Sequence, residues 1–141
     1  MRSRLLVASV VAAGALAAPA AGSNVSPRWF VIPGRSVSCE LGLDRHGSSP
    51  VDYVFCLAYR LGSPYRTAVA VRLSGSAGLT VCHGLPCIGN TPRHVPTLPV
   101  GHSIRLGPFR CTSRRRGVRC TVTRLGRGFE LSTAGLRRVR S

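Results

Sequence analysis

A chain of 141 residues with net charge +16 and 44% apolar residues is at most one domain, and too rich in Val, Leu and Phe to be a disordered polyelectrolyte. All twenty basic residues are arginine, and only Glu40, Asp44, Asp52 and Glu130 oppose them. Aromatic residues, at 6%, are too few for a large aromatic-lined pocket.

The chain opens with Arg2 and Arg4, an apolar run over 5–18, and then Pro19-Ala20-Ala21-Gly22. A basic start, a short apolar stretch and a small-residue zone read as a secretory signal peptide, residues 1–22, cleaved between Ala20 and Gly22. The run is shorter than the ~20 residues a membrane-spanning helix needs, so the mature protein is expected to carry no transmembrane span. The alternative is an uncleaved N-terminal anchor. Residues 23–141 then form the mature domain, with eighteen arginines against four acids.

That domain is expected to be all-β. Short runs at 29–32, 36–41, 51–59, 67–73 and 79–82 are rich in Val, Tyr, Phe and Thr and are separated by Gly, Pro and Ser clusters, as strands joined by turns should be. Thr67, Val69, Val71 and Leu73 share one face, with Ala68, Ala70 and Arg72 on the other, the pattern of a strand half buried on a core. Residues 83–101 hold Pro86, Pro92, Pro96 and Pro99 and read as a long irregular loop. Strands resume at 103–106, continue in a hairpin over 107–122 and end at 128–132 and 136–139. Gly75-Ser76-Ala77-Gly78 and Gly126-Arg127-Gly128 read as turns rather than phosphate loops. No internal repeat is found.

The six cysteines, Cys39, Cys56, Cys82, Cys87, Cys111 and Cys120, all lie in the mature part. An even count in a short exported chain reads as a disulfide framework. Cys111 and Cys120 would face each other across the hairpin, and Cys82 and Cys87 close a small loop holding Gly84 and Pro86. Cys39 and Cys56 remain to join two earlier strands. This favours sequential pairing, at ~2–4 kcal/mol for each bridge, among many formal connectivities. A zinc site built on Cys82, His83, Cys87, His94 and His102 is the alternative, disfavoured in an oxidising compartment. The expected fold is a small disulfide-stapled antiparallel sandwich or open barrel.

Leu98-Pro99-Val100-Gly101-His102-Ser103, then Phe109-Arg110-Cys111-Thr112-Ser113, Gly117-Val118-Arg119-Cys120 and Gly126-Arg127-Gly128-Phe129, carry a resemblance. Together they resemble the C-terminal half of a family of small exported, cysteine-containing actinobacterial proteins of unknown function. The match covers roughly residues 82–133, with Val37-Ser38-Cys39-Glu40 fitting more weakly. Val100 replaces the family's usual aromatic, Arg127 the His between its glycines, and Asn90-Thr91 stands where Asp-Thr is usual. Any role of that His or Asp would be missing here. The resemblance implies export, disulfides and a β fold, and no activity.

Charge is concentrated late. Residues 105–141 carry eleven arginines and one glutamate, a net +10. Arg114-Arg115-Arg116 at the hairpin tip, with Arg119, form the candidate anion-binding site, because guanidinium forks take phosphate and carboxylate in two-pronged fashion. Candidate partners are an anionic polymer or a lipid surface. The plain reading is a solvated surface shaped by an arginine-biased genome. Only Phe109 and Phe129 lie among these arginines, thin material for stacking nucleobases.

Catalytic constellations are poor. No serine sits in Gly-x-Ser-x-Gly, a Cys–His enzyme needs a free thiol, and four acids are few for a glycosidase pair. The expectation is a secreted bacterial protein without enzymatic activity, catalytic residues, metal or small-molecule cofactor, acting as an extracellular or envelope-associated module for an anionic partner. The alternative is a protease-inhibitor-like scaffold presenting the stapled Pro-rich loop.

Overall fold

The computed structural model describes residues 26–44, 51–59, 68–89 and 91–140. The expected signal peptide, Thr67 and Asn90 lie outside the described residues. The fold is all-β and consists of two antiparallel five-stranded meanders packed face to face. The first sheet holds β1 (Arg28–Val31), β2 (Val37–Asp44), β3 (Val51–Ala58), β4 (Val69–Ser74) and β5 (Leu79–His83) in chain order. The second holds β6 (Ser103–Leu106), β7 (Phe109–Arg114), β8 (Gly117–Val122), β9 (Arg127–Ser132) and β10 (Gly135–Val139), again in chain order.

Side-chain alternation dictates what each strand buries. On β4, Val69, Val71 and Leu73 enter the space between the sheets, while Ala70, and Ala68 just before the strand, belong to a separate buried cluster with Leu57 and Cys87. On β7 and β8 the inward set is Phe109, Cys111 and Ser113 with Val118, Cys120 and Val122. Phe30, Leu41, Val54, Val71 and Leu73 from one sheet meet Phe109, Val122, Phe129 and Leu131 from the other. Each such side chain contributes ~1.5–3 kcal/mol on burial.

All three disulfides pair sequentially: Cys39–Cys56, Cys82–Cys87 and Cys111–Cys120. The first and third join directly opposed residues of neighbouring strands, with Cα atoms 4.1 Å apart in both. That spacing belongs to the non-hydrogen-bonded pairs of an antiparallel ladder, where side chains lie closest. Each bridge ties the second strand of its meander to the third, so the halves share architecture and cystine position although the sequence carries no repeat. The two cystines meet at the centre of the core, with Cys56 Sγ 3.9 Å from Cys120 Sγ.

The Pro-rich connection is a strap. Its expected start moves by one residue, since His83 still pairs with Val69 in the β4–β5 ladder. From β5, at one edge of the first sheet, the chain must reach β6, whose Arg105 carbonyl accepts a bond from Arg28 of β1 at the opposite edge. Crossing four strand gaps is a journey of ~19 Å at ~4.8 Å each. The 3-10 turn Leu85–Cys87, opened by Gly84 at φ 85° and closed by the Cys82–Cys87 bridge, sets buried Cys87 on Leu57, Ala68 and Ala70. Further on, Val31 N–H donates to the Pro96 carbonyl (3.0 Å) and Leu98 N–H to the Val31 carbonyl (2.8 Å), covering the edge of β1. An uncovered edge strand invites pairing with other chains.

The strand expected over 128–132 begins one residue earlier, at Arg127, so of Gly126-Arg127-Gly128 only Gly126 belongs to the turn. Gly126, at φ 61°, closes the β8–β9 turn, whereas Gly128 lies inside β9 opposite Thr121. One buried polar atom stands out: Ser113, 0% exposed, has no hydrogen-bond partner for its hydroxyl among the described residues. An unsatisfied buried hydroxyl costs about 1–3 kcal/mol. Ser113→Ala is therefore expected to raise the urea midpoint, at unchanged slope, by the equivalent of about 1 kcal/mol. A lowered midpoint would show that the hydroxyl is satisfied in solution.

Candidate functional site: an arginine face on the second sheet

Strand alternation that sends Phe109, Cys111, Cys120 and Phe129 inward sends their neighbours out. Read across the sheet, Arg105, Arg110, Thr121, Gly128 and Val139 lie in register, followed by Ser103, Thr112, Arg119, Glu130 and Arg137. A third row holds Arg114, Gly117, Ser132 and Gly135. Apart from Val139, buried at its edge, the outer face thus consists of arginines, small residues and hydroxyls, with Glu130 as its acid.

Of the four arginines picked from the sequence, Arg114 ends β7, Arg115 and Arg116 form the turn, and all three are exposed. Arg119 stands on β8, half-buried, 3.8 Å from Glu130, which also bonds Arg137 across the β9–β10 pair. The fold therefore brings all four to one end of one sheet, and Glu130 offsets part of the Arg119 charge. Exposed ion pairs of this kind contribute ~0–1 kcal/mol.

Arg105 and Arg110 were not singled out, yet they stand directly opposite each other on β6 and β7. Like charges at opposed positions destabilise a sheet, typically by a few tenths of a kcal/mol. Arg110 Nε donates to Ser103 Oγ (3.3 Å), and the Ser103 and Thr112 hydroxyls lie 2.8 Å apart. These contacts tie Arg110 to the sheet, on a residue that is itself exposed. The signal was present in the sequence as the alternation Arg110, Thr112, Arg114, all on one face of a strand.

Two depressions mark the face. The larger, about 390 Å³, is an open trough along β7 and β8 lined by Arg110, Thr112, Arg114, Arg119 and Thr121. The smaller, about 250 Å³, lies over Gly117, Ser132 and Gly135, between Arg114, Arg116 and Arg137.

Other candidates go elsewhere. The sulfurs of Cys39, Cys56 and Cys120 lie within 4.8 Å of one another, but all belong to disulfides at the centre of the core. The zinc alternative loses its thiolates, because Cys82 and Cys87 are bonded to each other. Glu40 accepts a 2.7 Å bond from Tyr53 Oη, and Arg72 stacks on that ring at 4.3 Å. Glu40 and Glu130 occupy the outer faces of opposite sheets, so they cannot flank one bond of a substrate. No family model, curated protein or solved structure matches the chain.

Proposed function

We propose that the protein is a secreted, non-enzymatic module of the bacterial extracellular space or envelope that holds an anionic partner on the outer face of its second sheet. The observation that carries this reading is the arginine face itself: Arg105, Arg110, Arg114, Arg119 and Arg137 on neighbouring strands, against Glu130 alone. Three disulfides support an oxidising compartment, as does the expected signal peptide. Among the described residues no helix is long and apolar enough to cross a membrane. The resemblance to exported cysteine-containing proteins supports the same assignment. The inhibitor-like reading has less support, because the stapled turn and the 96–98 segment are both spent covering the first sheet.

The test is retention of the oxidised mature protein on anionic wall polymer, anionic vesicles and DNA across a salt series, with an uncharged polymer as control. Binding should weaken linearly in log salt as counterions are released. Arg114→Gln/Arg115→Gln/Arg116→Gln should flatten the slope on DNA by up to about three, at ~0.9 per phosphate contact. Glu130→Gln, which frees Arg119 and Arg137, should strengthen retention. Weak retention, equal on every anion and unaffected by either variant, would reduce the arginines to a solvated surface.

A further inference from the structure

We infer that the molecule carries a second anion site, apart from the arginine face: Arg127, Arg138 and Arg140, at the mouth of the sandwich where the open edges of the two sheets meet, hold the oxyanion group of a small ligand.

Strand register puts these arginines where apolar residues are expected. Directly opposed residues of an antiparallel pair project to the same side of the sheet. Arg127 stands opposite Val122 and Arg138 opposite Phe129, and both partners belong to the core between the sheets. Continuing the β9–β10 register by one residue sets Arg140 opposite Arg127. The face that carries Phe129, Leu131 and Leu136 into the core therefore turns to arginine at its end.

All three arginines line one depression of about 220 Å³, and Ala77 and Leu79 line it from the first sheet. Since β5 and β10 are the last strands of their sheets, the depression lies between two open edges. Arg127, Arg138 and Arg140 are exposed, so a ligand reaches them from solvent. Among the described residues no acid lines the depression and none pairs with these arginines; Glu130 turns to Arg119 and Arg137 on the outer face.

Like charges at opposed strand positions repel, and the apolar wall of Ala77 and Leu79 offers nothing to offset them. An oxyanion does so: its charge relieves the repulsion, and its oxygens accept from the guanidinium forks. Carboxylate and phosphate share that chemistry. The depression is smaller than the ~300–1,000 Å³ of pockets that take drug-sized molecules, so the ligand is small. Inward charge at an edge strand also deters pairing with other chains, and the experiment separates guarding from binding.

The experiment is methyl NMR of the oxidised mature protein, titrated at constant ionic strength with pyrophosphate and with citrate, small anions of similar charge. Saturable shifts of the Ala77 and Leu79 methyl resonances are expected with at least one of them, and the tighter ligand identifies phosphate or carboxylate as the source. Arg138→Gln should weaken that binding about tenfold, the worth of one charge-assisted hydrogen bond. Arg114→Gln/Arg115→Gln/Arg116→Gln, on the outer sheet face, should leave it unchanged, so this site and the arginine face stand or fall separately. No saturable shift with either anion, or shifts indifferent to Arg138→Gln, would overturn the site. Dimerisation of Arg138→Gln in sedimentation equilibrium, with flat anion titrations of both proteins, would overturn it in favour of an edge guard.

Discussion

Replacing Cys39 and Cys56 together by alanine is expected to lower the melting temperature by roughly 15–20 °C. Closing a loop of this length removes about 3 kcal/mol of chain entropy from the unfolded state. Losing two fully buried sulfurs that pack on Cys120 adds a cavity cost of order 1–2 kcal/mol. For a domain of about a hundred residues each kcal/mol shifts the midpoint by about 4 °C or more. The Cys82→Ala/Cys87→Ala pair should cost less, about 2 kcal/mol and under 10 °C, because its loop is shorter and Cys82 lies on the surface. Circular dichroism melts of the oxidised proteins make the comparison. Equal shifts for the two double variants would show that the central cystine pair has no special place in the core.

Gly128→Ala is expected to be nearly as damaging, for a reason with no counterpart in hydrophobic burial. A Cβ at Gly128 would stand 1.9 Å from the Cys120 carbonyl oxygen and 2.7 Å from Thr121 Cα. Both obstacles are backbone of the adjacent strand, so relief requires β8 and β9 to move apart and their ladder to break. Overpacking of a well-filled site costs ~1–3 kcal/mol even where side chains can yield, and here none is in the way. A loss of at least about 3 kcal/mol, seen as a fallen melting temperature or failed accumulation of folded protein, follows. Gly75→Ala is the control: its Cβ would meet Asp52 Cβ at 3.5 Å, an ordinary contact, and stability should stay within about 0.5 kcal/mol. Similar behaviour of the two variants would mean that β8 and β9 are not held as closely as the structure has them.

Much of this molecule is legible before folding. A strand's side chains alternate with period two whatever lies beside it, so Phe109, Cys111, Cys120 and Phe129 are marked as one face by spacing alone, and Arg110, Thr112 and Arg114 as the other. Turn residues bound the strands locally, and an even cysteine count with close sequence neighbours suffices to pair Cys111 with Cys120 and Cys82 with Cys87. Compactness of those loops is itself a local property.

Tertiary structure decided what no local rule reaches. That Arg105 faces Arg110, and that Arg119 shares Glu130 with Arg137, follows from the register between neighbouring strands. Register is set by which inward faces fill the common core, not by the outward residues that inherit the result. The meeting of the two cystines likewise depends on how the meanders stack, and the turning of a Pro-rich loop into a strap depends on β5 and β6 lying at opposite edges. Sequence alone determined the faces, the staples and the abundance of arginine. Packing of the two sheets determined which arginines stand together, because neighbours across a sheet are chosen by the core they bury.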